Sequence, residues 1–248
     1  MKRTNILYLL PLLALSGCAL SEDLSPPPDG KTVKIAVVKP ADVDILPMDV
    51  IYRSEKCRDK IFTSTGAVTS RAGYHLPTVP FKSEMGSGTV SNRVALDGGG
   101  QCEWKLSNIR FQFKFSDMTK FGADIKKNIP NDIVFVFDNN SPPRGNGHYE
   151  DVYGDIKTKN DYYPLVIYDR IIDHAKTLSI ESERMLTYKV HDGRGVFFEP
   201  QVYSGKLVKI LGPEKISDNT ISIYPDGTQT IKKKSSYPLD FKKLNEIK

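Results

Sequence analysis

Along most of this chain apolar residues fall at alternate positions or in short continuous runs, and Gly, Pro, Asn and Asp clusters separate them. That periodicity predicts strands rather than helices. Val33, Ile35 and Val37 alternate with Lys34 and Ala36, and residues 49–53 form a second short strand pattern. Residues 133–137, 165–168 and 195–198 are continuous apolar runs, which suit strands covered on both faces. Residues 220–224 and 228–232 flank Pro225, Asp226 and Gly227, a turn in which Pro fixes φ and Gly supplies the positive φ that closes a hairpin.

The segment 102–115 carries a more specific message. Cys102, Trp104 and Leu106 hold even positions, whereas Ile109, Phe111, Phe113 and Phe115 hold odd ones. A period-two strand cannot change parity without an inserted residue, so a β-bulge or break is expected at Ser107 and Asn108, where Asn tolerates a left-handed backbone. Such a bulge bends a long strand around a core containing Trp104.

Helical signals are few. Asp117 is placed to cap a segment with Met118, Phe121 and Ile125 at compatible spacing, ending before Pro130 and weakened by Gly122. Residues 169–178, with Ile171, Ile172, Ala175 and Leu178, form a second short candidate. The expected architecture is mainly β, an antiparallel β-sandwich-like fold with one or two short helices. The Gly- and Pro-rich stretch 141–147 offers a point at which two β subdomains could divide.

The first thirty residues follow different rules. Lys2 and Arg3 precede an apolar stretch from Ile6 to Leu15, interrupted only by Pro11, which has the length and charge of a secretory signal and is too short for a membrane-spanning helix. Leu15, Ser16, Gly17 and Cys18 resemble the lipobox of bacterial lipoproteins, in which the cysteine is acylated and becomes the first residue of the mature chain. On that reading residues 1–17 are removed, and Cys18 is the lipidation site. Residues 18–30, with Pro26, Pro27 and Pro28 together, form an extended, semi-rigid tether. Ala19 after the cysteine, by resemblance to lipoprotein sorting signals, favours the periplasmic face of the outer membrane. Residues 31–248 are then a β-rich binding region.

Composition sharpens this picture in two ways. The net charge of +5 includes two positive charges in the signal, leaving 33 basic against 30 acidic residues, without the concentrated basic stripe of a nucleic-acid-binding domain. The three cysteines divide into Cys18 and one remaining pair. In an oxidising compartment Cys57 and Cys102 are expected to form a disulfide, the competing reading being two buried free thiols. Their spacing matches no metal-ligand motif.

Motifs that carry chemistry are sparse. No Gly-x-Ser-x-Gly elbow or His-Glu-x-x-His occurs, and Gly86, Ser87 and Gly88 read as a flexible loop. Gly98, Gly99 and Gly100 lack the Lys or Ser/Thr of a phosphate loop and read as a flexible approach to Cys102. His148 beside Glu150 and Asp151 offers a metal or acid/base set, against a solvated loop as the plainer reading, and His191, Asp192 and Gly193 read as a turn. The expectation is a protein without catalytic residues, metal or cofactor that works through its surface. Loops 71–84 and 141–153 mix aromatic and charged residues, and Arg144, His148, Tyr149 and Tyr153 are the candidate partner contacts.

The lipobox, the stretch with Tyr52, Arg53 and Cys57, and the run Gly99, Gly100, Gln101, Cys102, Glu103, Trp104, Lys105, Leu106, Ser107, Asn108 resemble the lipoprotein immunity proteins that accompany type VI secretion phospholipase effectors. The likeness spans residues 49–117 and the signal, about a third of the chain, and its motifs are structural. It implies a non-enzymatic periplasmic lipoprotein that binds a phospholipase effector delivered by a sibling cell and blocks substrate access to the active site. A structural or assembly-accessory lipoprotein of the envelope is the rival expectation, because it would share the anchor, the disulfide and the β fold.

Overall fold

The computed structural model describes residues 23–140, 149–172, 174–184, 186–215, 218–233 and 239–247. Among these the protein is mainly β, a sandwich-like fold of two sheets with one short helix. One sheet runs from Gln229–Lys233 through Asn219–Ile223, Val208–Leu211, Ile156–Tyr168, Gly195–Val202, Thr32–Val38 and Thr89–Ala95 to Lys82–Ser83. Lys176–Glu181 joins the long strand Ile156–Tyr168 and carries Ile125–Ile129 beyond it. The other sheet runs Glu150–Tyr153, Thr187–His191, Asn131–Val136, Trp104–Phe115, Met48–Phe62, Val68–His75.

Both sheets are mixed rather than wholly antiparallel. Thr32–Val38 pairs parallel with Gly195–Val202, and Asn131–Val136 parallel with Thr187–His191. These partners lie far apart in sequence, and parallel neighbours need long crossover connections that local alternation does not reveal. The expected strands at 33–37, 49–53, 133–137, 165–168 and 195–198 all fall on observed ones, and the hairpin closes at Gly227 with φ of 80°.

The core is the aromatic seam between the sheets. Phe111 and Phe113 of one sheet meet Phe198 of the other at ring-centre distances of 6.0 and 6.2 Å, and Phe113 meets Tyr162 edge-on at 4.9 Å. This cluster takes residues from both sides of 141–147. A smaller cluster on the opposite face of Ile156–Tyr168 joins Tyr163, Leu165, Val208, Ile210 and Tyr224 to Leu244 of the helix Phe241–Glu246. Consecutive strand residues point to opposite faces, so Tyr162 and Tyr163 enter different cores. Burial pushes the Tyr163 hydroxyl up to about 12. Asp240 caps the helix by accepting a bond from Lys243 N at 3.0 Å.

The parity change in Trp104–Phe115 is a bulge. Ile51 pairs with Asn108 and Tyr52 with Leu106, which leaves Ser107 as the extra residue. Trp104 and Leu106 before it, and Ile109, Phe111, Phe113 and Phe115 after it, are therefore all buried. The backbone at Asn108 stays at negative φ, contrary to the left-handed option, because the bulge is anchored through hydrogen bonds: Phe137 N donates to Ser107 O at 2.8 Å and Asn108 Nδ2 to Ser107 Oγ at 2.8 Å.

Three expectations are corrected. The segment after Asp117 makes only one turn of 3₁₀ helix, Thr119–Phe121, before Gly122 and the strand Ile125–Ile129; Met118 stands at the cap position without a side-chain cap bond, and Asp117 Oδ1 accepts from Thr119 N just ahead of it. In 169–178, Asp169 Oδ1 accepts from Ile171 N and Ile172 N as a cap would, yet the chain turns and enters the strand Lys176–Glu181. Pairing with the long buried strand overrides a weak helical period there. The helix that does form, Phe241–Glu246, was not anticipated.

The third correction concerns the tether and the glycine run. Ser25 N donates to Gly98 O at 2.8 Å, Leu24 packs against the core, and Pro27 O accepts from Gly30 N to turn the chain into the first strand. The described part of the tether is thus docked and turned rather than an extended spacer. Gly98, Gly99 and Gly100 are its seat: a Cβ on Gly99 would lie 2.1 Å from Ser25 O, and one on Gly100 2.5 Å from Asp23 O. Positive φ at Gly99 and Gly100 adds a second reason for glycine there.

Candidate partner-binding surface

The four residues expected to contact a partner divide between two situations. Arg144 and His148, with Cys18, lie outside the described residues. Tyr149 and Tyr153 flank or end the strand Glu150–Tyr153, the last strand of its sheet among the described residues. Val152 turns inward against the core, so Asp151 and Tyr153 face out. Tyr153 is 77% exposed and Tyr149 44%.

This strand runs parallel to Thr187–His191, with Tyr153 opposite His191, Asp151 opposite Lys189 and Glu150 opposite Tyr188. The pairing assembles a surface. The rings of Tyr153 and His191 stack with centres 4.6 Å apart, and Asp151 Oδ1 lies 2.7 Å from His191 Nε2. Lys189 Nζ sits 5.4 Å from the centre of the Tyr149 ring and donates to Asn139 Oδ1 at 2.8 Å. Arg184 pairs with Glu150. Beneath, Tyr188 stacks on Phe135 and shares a hydrogen bond of 3.0 Å with Thr158 Oγ1, and burial raises its phenolic pKa. The end of the strand is held by Gly154 N donating to His191 O, and by Asp155 Oδ1 accepting from Arg194 N and Gly195 N.

His191, Lys189 and Arg184 are the members of this patch that the chain's own order conceals. His191 is 38 residues from Tyr153, and only the parallel register brings them together. The signal available was the shared mix of aromatic and charged residues in the two segments, which ordinary loops also show.

Cys57 and Cys102 form a disulfide with Cα atoms 5.3 Å apart. It lies where the register of Met48–Phe62 shifts between Ser54 and Arg58, and Ser54 Oγ there accepts from Lys56 N and Cys57 N while donating to Cys102 O. Beyond this clamp, residues 58–62 and 68–72 pair only with each other among the described residues, as a two-stranded hairpin standing off the sheet. Tyr52 Oη donates to Ala95 O at 2.7 Å, and burial pushes its hydroxyl up to about 12.

Among the described residues no group of three His, Cys, Asp or Glu side chains is placed to hold a metal ion. Ser87 sits in a turn, with its Oγ donating to Glu84 O and accepting from Thr89 N. His75 stacks on Trp104, and His174 has a left-handed backbone with φ of 50°. A cavity of about 70 Å³ beside Asn108 and Arg110 has room for a water or two, and Arg110 there is held between Asp49 at 3.3 Å and Asp132 at 3.8 Å. The arrangement brings stacked rings, paired charges and a strand edge unpaired among the described residues onto one surface. Comparison with protein families, curated proteins and solved structures gives no match to this chain.

Proposed function

We propose that this protein is a lipid-anchored periplasmic immunity protein, held at the outer membrane through Cys18, that binds a phospholipase effector and blocks access to its active site. The observation that supports a binding role is the outer strand Glu150–Tyr153, with Tyr153 stacked on His191 and the Arg184–Glu150 and Asp151–His191 pairs around it. Exposed, rigidly supported Tyr rings beside charged pairs are the material of interface anchors, and a sheet edge can add backbone hydrogen bonds to a partner strand. The identity of the partner comes from the likeness of residues 49–117 and the signal to the immunity lipoproteins. An anchored inhibitor meets an incoming phospholipase where its substrate lies, at a raised local concentration. An interface of roughly 1,600 Å² or more is expected for tight neutralisation.

The test is inhibition of the phospholipase encoded beside this chain by the purified mature protein, with Tyr153→Ala as the probe. Tyr153 is largely exposed, so the variant should keep its thermal midpoint while its inhibition constant rises about tenfold or more, the loss of a hot-spot side chain. Wild-type protein that neither binds nor inhibits the enzyme would remove the immunity reading. If deletion of the gene then impaired a surface apparatus without any toxin present, the assembly role would take its place.

A further inference from the structure

The hairpin clamped at Cys57 carries a second feature that partner recognition at Glu150–Tyr153 does not use. From Ile61 to Ser70 ten consecutive residues are uncharged. At its end Phe62 and Val68 lie directly opposite each other, 77% and 62% exposed. Basic residues flank this stretch: Arg58, Lys60 and Arg71 against Asp59 alone give residues 58–72 a net charge of +2. Asp59 is opposite Arg71 and pairs with it at 3.5 Å.

The tether leaves the described body beside the base of this hairpin. Asp23 O lies against Gly100, Gly100 O accepts from Glu103 N, Glu103 pairs with Lys56 at 2.8 Å, and Cys102 is bonded to Cys57. Five residues separate Asp23 from Cys18, a span of at most about 18 Å by whatever path. The same number separates Cys57 from Phe62, a rise of about 17 Å along a strand. An acyl chain on Cys18 therefore holds Asp23, beside the hairpin's base, within about 18 Å of the bilayer, a reach similar to the length of the hairpin strand.

We propose that residues 61–70 form a second membrane contact: the uncharged turn 63–67 and the exposed Phe62–Val68 pair behind it enter the interfacial layer of an anionic phospholipid surface, with Lys60 and Arg71 at the headgroups. An uncharged tip of small hydroxyl residues with an exposed Phe–Val pair behind it, flanked by cations, suits the interface between hydrocarbon and anionic headgroups. A lipid anchor alone leaves a domain free to swing, whereas two contacts fix its orientation. This inference rests on acylation of Cys18, the anchor part of the proposed function.

The experiment uses the full lipidated chain carrying Phe62→Trp, with Val68→Trp as a second reporter, in vesicles of phosphatidylethanolamine and phosphatidylglycerol with or without brominated acyl chains. The protein's own tryptophan, Trp104, is buried, and the wild-type chain supplies its baseline. The added tryptophan should emit at shorter wavelength on vesicles and lose most of its emission when the lipids are brominated, while the wild-type signal is unchanged. Emission that stays at the wavelength of a water-exposed ring and is not quenched for either reporter overturns the proposal. Unquenched reporters that respond only when the phospholipase is added overturn it too, and assign the hairpin to protein recognition. Intact mass of the extracted chain separates the two failures: absence of the acyl groups removes the anchor reading, whereas an acylated chain with unquenched reporters removes the hairpin contact alone.

Discussion

Deletion of Ser107 tests the relation between chain parity and core directly. Ser107 is the extra residue that lets Trp104 and Leu106 face the same core as Ile109 to Phe115. Without it, and with the pairing downstream retained, Glu103 and Lys105 would point inward and Trp104 and Leu106 outward. Trp104 is 2% exposed, and losing a buried Trp costs about 3–5 kcal/mol and a buried Leu about 2–5 kcal/mol. The combined loss is comparable to the roughly 5–15 kcal/mol that holds a domain folded. Chemical denaturation followed by Trp104 emission reads both effects, since this is the single tryptophan. The deletion should red-shift the emission and either collapse the midpoint or abolish the transition. Ser107→Ala keeps the residue count and loses only the bond from Asn108 Nδ2, at a cost of about 1–3 kcal/mol. A deletion variant with wild-type midpoint and unshifted emission would refute the reasoning.

Two other outcomes follow from the same structure. Replacing Cys57 and Cys102 together by Ser opens a loop with a sequence separation of 45, worth about 4 kcal/mol of chain entropy; a denaturation midpoint equal to that of the oxidised protein would contradict this. Burial holds the Glu181 carboxyl above its ordinary value. The folded state thus binds that proton more tightly than the unfolded chain, so its contribution is present below the unfolded pKa and is lost as pH rises through the folded one. Glu181→Gln should therefore be more stable than wild type at neutral pH, with the gap closing on acidification. Melting curves showing the opposite trend would count against the assignment.

The short-range pattern determined a good deal about this protein. Alternation located the strands because side chains of a half-buried strand must obey a period of two, and the same rule exposed the bulge as a parity error. Pro225 and Gly227 marked their turn because backbone preference is local. The pairing of Cys57 with Cys102 was legible from the cysteine count once Cys18 was read as the lipidation site. The helices were misplaced for the complementary reason. At 117–129 and 169–178 the local helical preference is weak, and hydrogen bonding to a buried neighbouring strand outweighs it, as Asp169 shows by capping a helix that never propagates.

What only the tertiary structure decided is everything that depends on register between distant strands. The parallel pairing of Glu150–Tyr153 with Thr187–His191 sets Tyr153 on His191 and Tyr149 beside Lys189, contacts that no sequence period encodes. The glycines at 98–100 look like slack in the sequence, and the fold uses them as the seat of the tether, because only a residue without Cβ lets Ser25 O and Asp23 O come so close. Local sequence specifies the period, the turns and the caps, since those interactions act within a few residues. The choice of neighbour across the sheet belongs to the packed core, where Phe111, Phe113, Tyr162 and Phe198 meet from strands far apart in the chain.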